Sequence, residues 1–222
     1  MKRITAILLV LSILILGVSV ASAKTEVGDY IRFGEYCQNG RDTYATELQW
    51  LVLDINDGKA LVISRYGLFA HPFNSNSAGQ TWADCTLREY LNGTFLYEAF
   101  TSKERKAIQT TDVDESKKQT STAHPAKRIG PNTKDKIFLL SAAEATKYLP
   151  TKAERKCKPT ESTKDGGCYL KGGCTWYWLR SPAYSNNACV IDENGTIETC
   201  YISHNYGVVR PCCWVDLDAI GY

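Results

Sequence analysis

The sequence predicts a single α+β domain with short antiparallel sheets and two to four helices in the middle of the chain. Three observations predict it. Runs of β-branched and aromatic residues bounded by turn formers fill the first and last thirds. Apolar residues at i, i+3 and i+4, behind capping signatures, occupy the middle. No segment repeats elsewhere in the chain.

The elements follow in chain order. Residues 1–23, MKRITAILLVLSILILGVSVASA, read as a secretory signal peptide: Lys2 and Arg3 form a positive start, Ile7 to Val20 an apolar stretch, and Ala21-Ser22-Ala23 a small-residue cleavage site. The apolar stretch is shorter than the ~20 residues a spanning helix needs. Residues 24–222 are therefore expected as one mature domain, secreted or at the cell surface, without a transmembrane anchor.

Three β-type runs open that domain: Tyr30–Tyr36, Leu48–Ile55 and Lys59–Tyr66, the last two joined as a hairpin by Asn56-Asp57-Gly58. His71–Gln80 is a loop of turn formers. Ala83–Asn92 sets Leu87, Tyr90 and Leu91 on one helical stripe. Thr101 with Glu104, and Ser141 with Glu144, have capping-box spacing and start two further helices. Residues 110–135 hold few apolar side chains and read as a long polar loop, the least ordered part of the domain. Lys136–Ser141 returns as a buried strand. Thr175–Ser181 is one strand, Ala188–Ile202 a hairpin turning at Asn194-Gly195, and Gly207–Leu217 a final strand.

Charge excludes more than it suggests. Loss of Lys2 and Arg3 leaves basic and acidic residues equal in number. Lys103–Lys158 carries 14 Lys/Arg against 7 Asp/Glu, and reads as a solvated face rather than a polymer-binding tract. No nucleic-acid module is present. The chain has nine cysteines, an odd number, so an exported form leaves at least one outside any internal pairing. A two-residue turn at Asn194-Gly195 sets Cys189 opposite Cys200 in a hydrogen-bonded pair, where Cα atoms lie ~5.5 Å apart, a spacing a disulfide accepts. Cys168 and Cys174 are a second candidate pair. Cys212 and Cys213, adjacent on a strand, face opposite sides. The cysteines and the scattered His71, His124 and His204 lack zinc spacing, so no metal and no cofactor is expected.

The segments IRFGEY, QWLVLD, ALVISRY, TWADCTLREYLN, EAFTSKE, DKIFLLSAAEATKY, CKPT, YWLRSP and GVVRPCCW, in this order, resemble a large bacterial family, domain-of-unknown-function family 6273, over about Tyr30 to Leu217. The family usually has RPALW where Arg210-Pro211-Cys212-Cys213-Trp214 stands here, and the resemblance implies no established activity. A more distant resemblance links Arg180-Ser181 and Gly207-Val208-Val209-Arg210 to the ending of C-type-lectin-like domains of the formylglycine-generating type. It implies a C-type-lectin-like mixed fold. Those enzymes carry a copper-binding C-x4-C pair just before Arg-Ser. Cys168 and Cys174 are C-x5-C and lie further upstream, which argues against the oxidase activity.

The remaining question is what the rings of TWYWLRSP do. In a strand, Trp176, Trp178 and Arg180 share one face and Leu179 marks the other as core. Trp176, with Tyr184, Asn186, Asn187 and Tyr206 from the flanking loops, is expected to border one concave binding site. Trp178 is expected to be buried beneath it, and Arg180 and Arg210 to be structural. No catalytic residue is assigned: G-x-S-x-G, H-E-x-x-H and P-loop patterns are all absent. The function expected is a non-catalytic, exported, lectin-like binding module for a glycan or an exposed peptide. The alternatives are an oxidoreductase using thiols among Cys168, Cys174, Cys212 and Cys213, or a structural cell-surface domain.

Overall fold

The computed structural model describes residues 24–40, 44–75, 81–126 and 128–222. The expected signal peptide lies outside them. A meander opens the domain: β1 (Tyr30–Cys37), β2 (Ala45–Asn56) and β3 (Lys59–Ser64). Its second turn is Asp57-Gly58, with φ +50° and +71°, and Asn56 pairs with Lys59. Positive φ at both central residues is the type I′ geometry that a right-twisted hairpin prefers. β4 (Phe69–Ala70) follows, and then a helical stretch formed by α1 (Thr86–Tyr90), a π turn (Leu91–Phe95) and α2 (Leu96–Ala99). Leu87, Leu91 and Phe95 enter the core from it. α3 (Ser102–Ala107) and, later, α4 (Ala142–Tyr148) begin at the two capping boxes read from the sequence, with both reciprocal bonds made in each.

The polar stretch 110–135 is not a plain loop. It opens with β5 (Thr111–Val113) and closes with β6 (Thr133–Asp135), which pair antiparallel. Between them Glu115 is buried. Burial of one carboxylate against an arginine from another element ties down a segment whose composition predicts none of this. Ile137–Leu140 is buried as expected, but pairs through an isolated bridge, Phe138 to Cys212, and bonds from Arg180 and Asn92 rather than as a full strand. α5 (Lys152–Arg155) and α6 (Glu161–Asp165) complete a middle with more helices than expected, because a π turn and loops cut it into short pieces.

The last third gives β7 (Tyr177–Pro182), β8 (Asn187–Ile191), β9 (Ile197–Tyr201), β10 (Val208–Val209), β11 (Cys212–Asp216) and α7 (Leu217–Ile220). The expected final strand is broken at Arg210-Pro211, since proline cannot donate to a ladder. Its halves join different sheets. One sheet has the order β1-β2-β3-β11, the other β4-β10-β7-β8-β9. The chain thus crosses between sheets at Arg210, in the floor of the structure.

Candidate functional site

The rings of β7 settle first. Every residue of β7 is buried, so both faces of the strand are core. Trp178 is fully buried, donates its indole N–H to the His71 carbonyl at 2.9 Å, and packs on Phe73. A Cβ at Gly207 would land on the indole. Trp176, just before the strand, is half-buried; it meets Trp178 edge-on at 5.1 Å and His204 at 5.4 Å, and His204 meets Tyr206 at 5.7 Å. Trp176 and Tyr206 therefore belong to one ring array.

Tyr184, Asn186 and Asn187 do not join it. Tyr184 and Asn186 sit in the turn between β7 and β8 and Asn187 begins β8, all beyond Pro182, while Trp176 precedes Tyr177 at the other end of a strand ~16 Å long (five steps of ~3.3 Å). The Asn186 carbonyl accepts the Ile202 N–H at 2.9 Å, and Asn187 pairs with Tyr201. The expected five-residue site is thus split between two ends of the sheet.

The candidate disulfide at Cys189 and Cys200 also fails on register. Cys189 pairs with Thr199 and Cys200 with Ala188. The turn holds three residues, not two: the Asp192 N–H donates to the Thr196 carbonyl, and the Asp192 carboxylate accepts the N–H groups of Asn194 and Thr196. Only Gly195 takes positive φ, +84°. One extra loop residue shifts the ladder by one and turns the two thiols to opposite faces. Cys168 and Cys174 stand as separate thiols at the base of the Lys171–Cys174 turn. Burial raises the thiol pKa of Cys168, Cys212 and Cys213, the opposite of what a reactive thiolate needs.

Arg180 is buried and links three elements. Its Nε donates to Glu115 at 2.8 Å, Nη1 to the Leu139 carbonyl at 2.8 Å, and Nη2 to the Asp114 carbonyl at 3.1 Å and Glu144 at 2.9 Å. A bulge in β7 aims it there: the register slips between Trp178 and Pro182. One guanidinium serves two carboxylates, and burial pushes the Glu115 carboxyl up to about 7.

Arg210, also expected to be structural, is different. Its side chain is buried, with Nε donating to the Ser64 carbonyl at 2.8 Å and Nη1 to the Tyr177 hydroxyl at 3.4 Å, and its guanidinium lies 5.3 Å over the Tyr177 ring. No carboxylate pairs with it: among the described residues its only partners are a carbonyl, a phenol and a ring. Nη2 has no protein acceptor, although no fully buried side-chain nitrogen or oxygen among the described residues lacks one, so Nη2 opens on solvent space. That space is a cavity of about 520 Å³ lined by Arg210 together with Arg65, Lys156, Lys158, Tyr30 and Tyr66. Glu154, the carboxylate on its wall, is engaged by the Thr151 N–H and hydroxyl. Arg65 bonds Gln49 Oε1 at 2.6 Å and lies over the rings of Tyr30 and Tyr66.

The cavity is built by local sequence. Pro211 holds Arg210 extended, and its own carbonyl accepts the Ser64 N–H, locking the guanidinium to the end of β3. Tyr177 donates to the Arg155 carbonyl at 2.9 Å, while Arg155 is itself clamped on the carbonyls of Leu149, Pro150 and Gly195. The groups nearest Arg210 that could carry negative charge are Tyr177, Cys157 and Cys212; burial raises the pKa of each, that of Tyr177 to about 12, so they are neutral at pH 7. A buried, uncompensated cation is costly, and here it faces a cavity with three more cations. That arrangement suits a bound anion.

Comparison with known proteins adds one match. A family model described as a domain of unknown function (DUF6273) matches residues 57–217. No curated protein and no solved structure matches. Among the described residues no helix is long and apolar enough to cross a membrane.

Proposed function

The chain belongs to the DUF6273 family, which carries no assigned chemistry, and we propose that it is an exported, non-catalytic binding module whose ligand, a glycan or an exposed peptide, presents an anionic group to Arg210. The observation that carries this reading is the buried guanidinium without a carboxylate, its Nη2 turned into a basic cavity. A cavity of this size suits a ligand group about the size of one sugar ring with its substituents. A carboxylate, sulfate or phosphate group entering it would take charge-assisted bonds from a rigidly held donor. Arg65 and Lys158 would add long-range attraction. The C-type-lectin-like scaffold remains the fold-level analogy for such a module.

The oxidoreductase alternative needs an accessible, low-pKa thiol pair, and the raised pKa of Cys168, Cys212 and Cys213 favours binding over that chemistry. The test is a glycan and peptide array probed with the purified chain. Retained ligands are expected to share an anionic group, and Arg210→Met is expected to weaken them about 10- to 100-fold, the worth of one hydrogen bond to a charged group. Retention of neutral ligands alone, unchanged in Arg210→Met, would discard the reading.

A second surface supports a narrower role. The Trp176–His204–Tyr206 rings form an exposed-edged array at the start of β7, and such arrays stack on flat ligand faces. Loss of array signals in Trp176→Ala, with Arg210 intact, would move the site there.

A further inference from the structure

The Arg210 cavity has a neighbour. A second cavity, of about 500 Å³, shares Tyr66 and Lys158 with it and continues over β1, β2 and the start of α6. Their chemistry differs. In the second cavity the cations away from the shared Lys158 are answered within the wall: Arg32 pairs with Glu47 at 3.4 Å, and Lys164 pairs with Glu161. The rest of that wall includes Gln38, Asn39, Thr46 and Thr160, which offer amide and hydroxyl groups. In the first cavity none of Arg65, Lys156, Lys158 and Arg210 has an ion-pair partner among the described residues, and Glu154 is bound by its own helix start. We read the two adjoining cavities as one groove, with unpaired cations at the Arg210 end, paired charges among polar side chains at the other, and Lys158 and the half-buried Tyr66 ring at the junction.

We infer that this groove holds a linear acidic oligosaccharide, with its acidic sugar over Arg210 and the adjacent neutral sugar against Asn39, Thr46 and Thr160. The inference rests on the anionic reading of the Arg210 cavity and goes beyond it by naming the ligand class and its polarity. Sugar hydroxyls match the amides and hydroxyls of the neutral end, and a ring at the junction suits the face of a pyranose. A peptide would call instead for an apolar anchor pocket at the second position. Each cavity takes about one sugar unit, so affinity should rise when a second unit is added.

The experiment is calorimetric titration of the purified chain with four probes: glucuronic acid, a hyaluronan tetrasaccharide (alternating glucuronic acid and N-acetylglucosamine), neutral chitotetraose, and a tetraglutamate peptide. The expected result is tetrasaccharide binding at least about 10-fold tighter than glucuronic acid, with no binding of chitotetraose and weaker binding of the peptide. Asn39→Ala should weaken the tetrasaccharide about fivefold and leave glucuronic acid unchanged. Arg210→Met should weaken both about 10- to 100-fold, and Lys158→Met, at an exposed residue, should weaken both and serves where the buried variant fails to fold. Glucuronic acid binding that the tetrasaccharide does not improve overturns the two-cavity inference while the anion site stands. Tighter binding of tetraglutamate overturns the glycan assignment. No binding of any anionic probe overturns both.

Discussion

Trp176 and Trp178 stand two residues apart in one ring contact, yet their surroundings differ. Trp178 is enclosed by Phe73, Gly207 and the His71 carbonyl, so Trp178→Ala is expected to cost about 3–5 kcal/mol, as large core truncations do. Trp176→Ala, from a half-buried position, should cost less than half as much in the same urea titration. Equal losses would mean that Trp176 serves packing alone. Glu115 gives a pH prediction. Burial, with the second carboxylate of Glu144 competing for Arg180, raises its carboxyl from the usual 4.5 to about 7. The folded state therefore holds this proton more tightly than the unfolded chain. Its contribution to stability is complete below about pH 4.5 and is lost as pH rises through about 7. Unfolding free energy should decline across that window, on the order of 1 kcal/mol per pH unit at the steepest, and Glu115→Gln should flatten the decline. A wild-type profile that rises from pH 5 to 7.5, with Glu115→Gln following it, would show the carboxyl to be ionised in the fold.

At the scale of elements, two hairpins carrying a Gly turn signal behave differently. Asp57-Gly58 forms the two-residue turn, both residues at positive φ. Asn194-Gly195 does not, because Asp192 bonds two N–H groups beyond it and stabilises a longer loop. Gly195 is tightly constrained: its φ is +84° and an added Cβ would strike the Lys152 carbonyl. Gly195→Ala is therefore expected to destabilise by at least about 1 kcal/mol, read by thermal melting, and Asp192→Ala by about 1 kcal/mol through its lost turn bonds. Peptide mapping after mild oxidation should recover no Cys189–Cys200 crosslink, since their positions are out of register.

Across the whole molecule, Arg180 and Arg210, two of the three buried arginines among the described residues, divide the labour. Arg180 fastens the 111–135 excursion to α4 and to the segment before it. Arg180→Met should therefore strip hydrogen-exchange protection from Val113 to Gln119 before it disturbs the β1–β3 meander; uniform loss across the domain would instead mark Arg180 as a global core residue. Arg210 sits where the chain passes from one sheet to the other and carries no compensating carboxylate. Any anion bound there should lose affinity with added salt through the exposed Arg65, Lys156 and Lys158, but retain the part owed to Arg210, which salt screens less.

Local chemistry made much of this protein legible in the sequence alone: the α+β class, the capping boxes at Thr101 and Ser141, the Asp57-Gly58 hairpin, and the burial of Trp178 and Arg180. Each rests on residues within a few positions of one another, or on simple alternation. The register at Cys189, the fold of residues 110–135, the dispersal of Tyr184, Asn186 and Asn187 from Trp176, and the role of Arg210 were decided by tertiary structure. In each, a contact outside the pattern outweighed it: the Asp192 carboxylate lengthened its own turn, Arg180 held Glu115 from another element, and β7 separated its flanking loops. Arg210 reads as an ordinary buried arginine in Val-Val-Arg-Pro. Only the folded chain shows that no carboxylate reaches it, because pairing of a charge depends on residues from β3, β7 and α5 that the sequence places far apart.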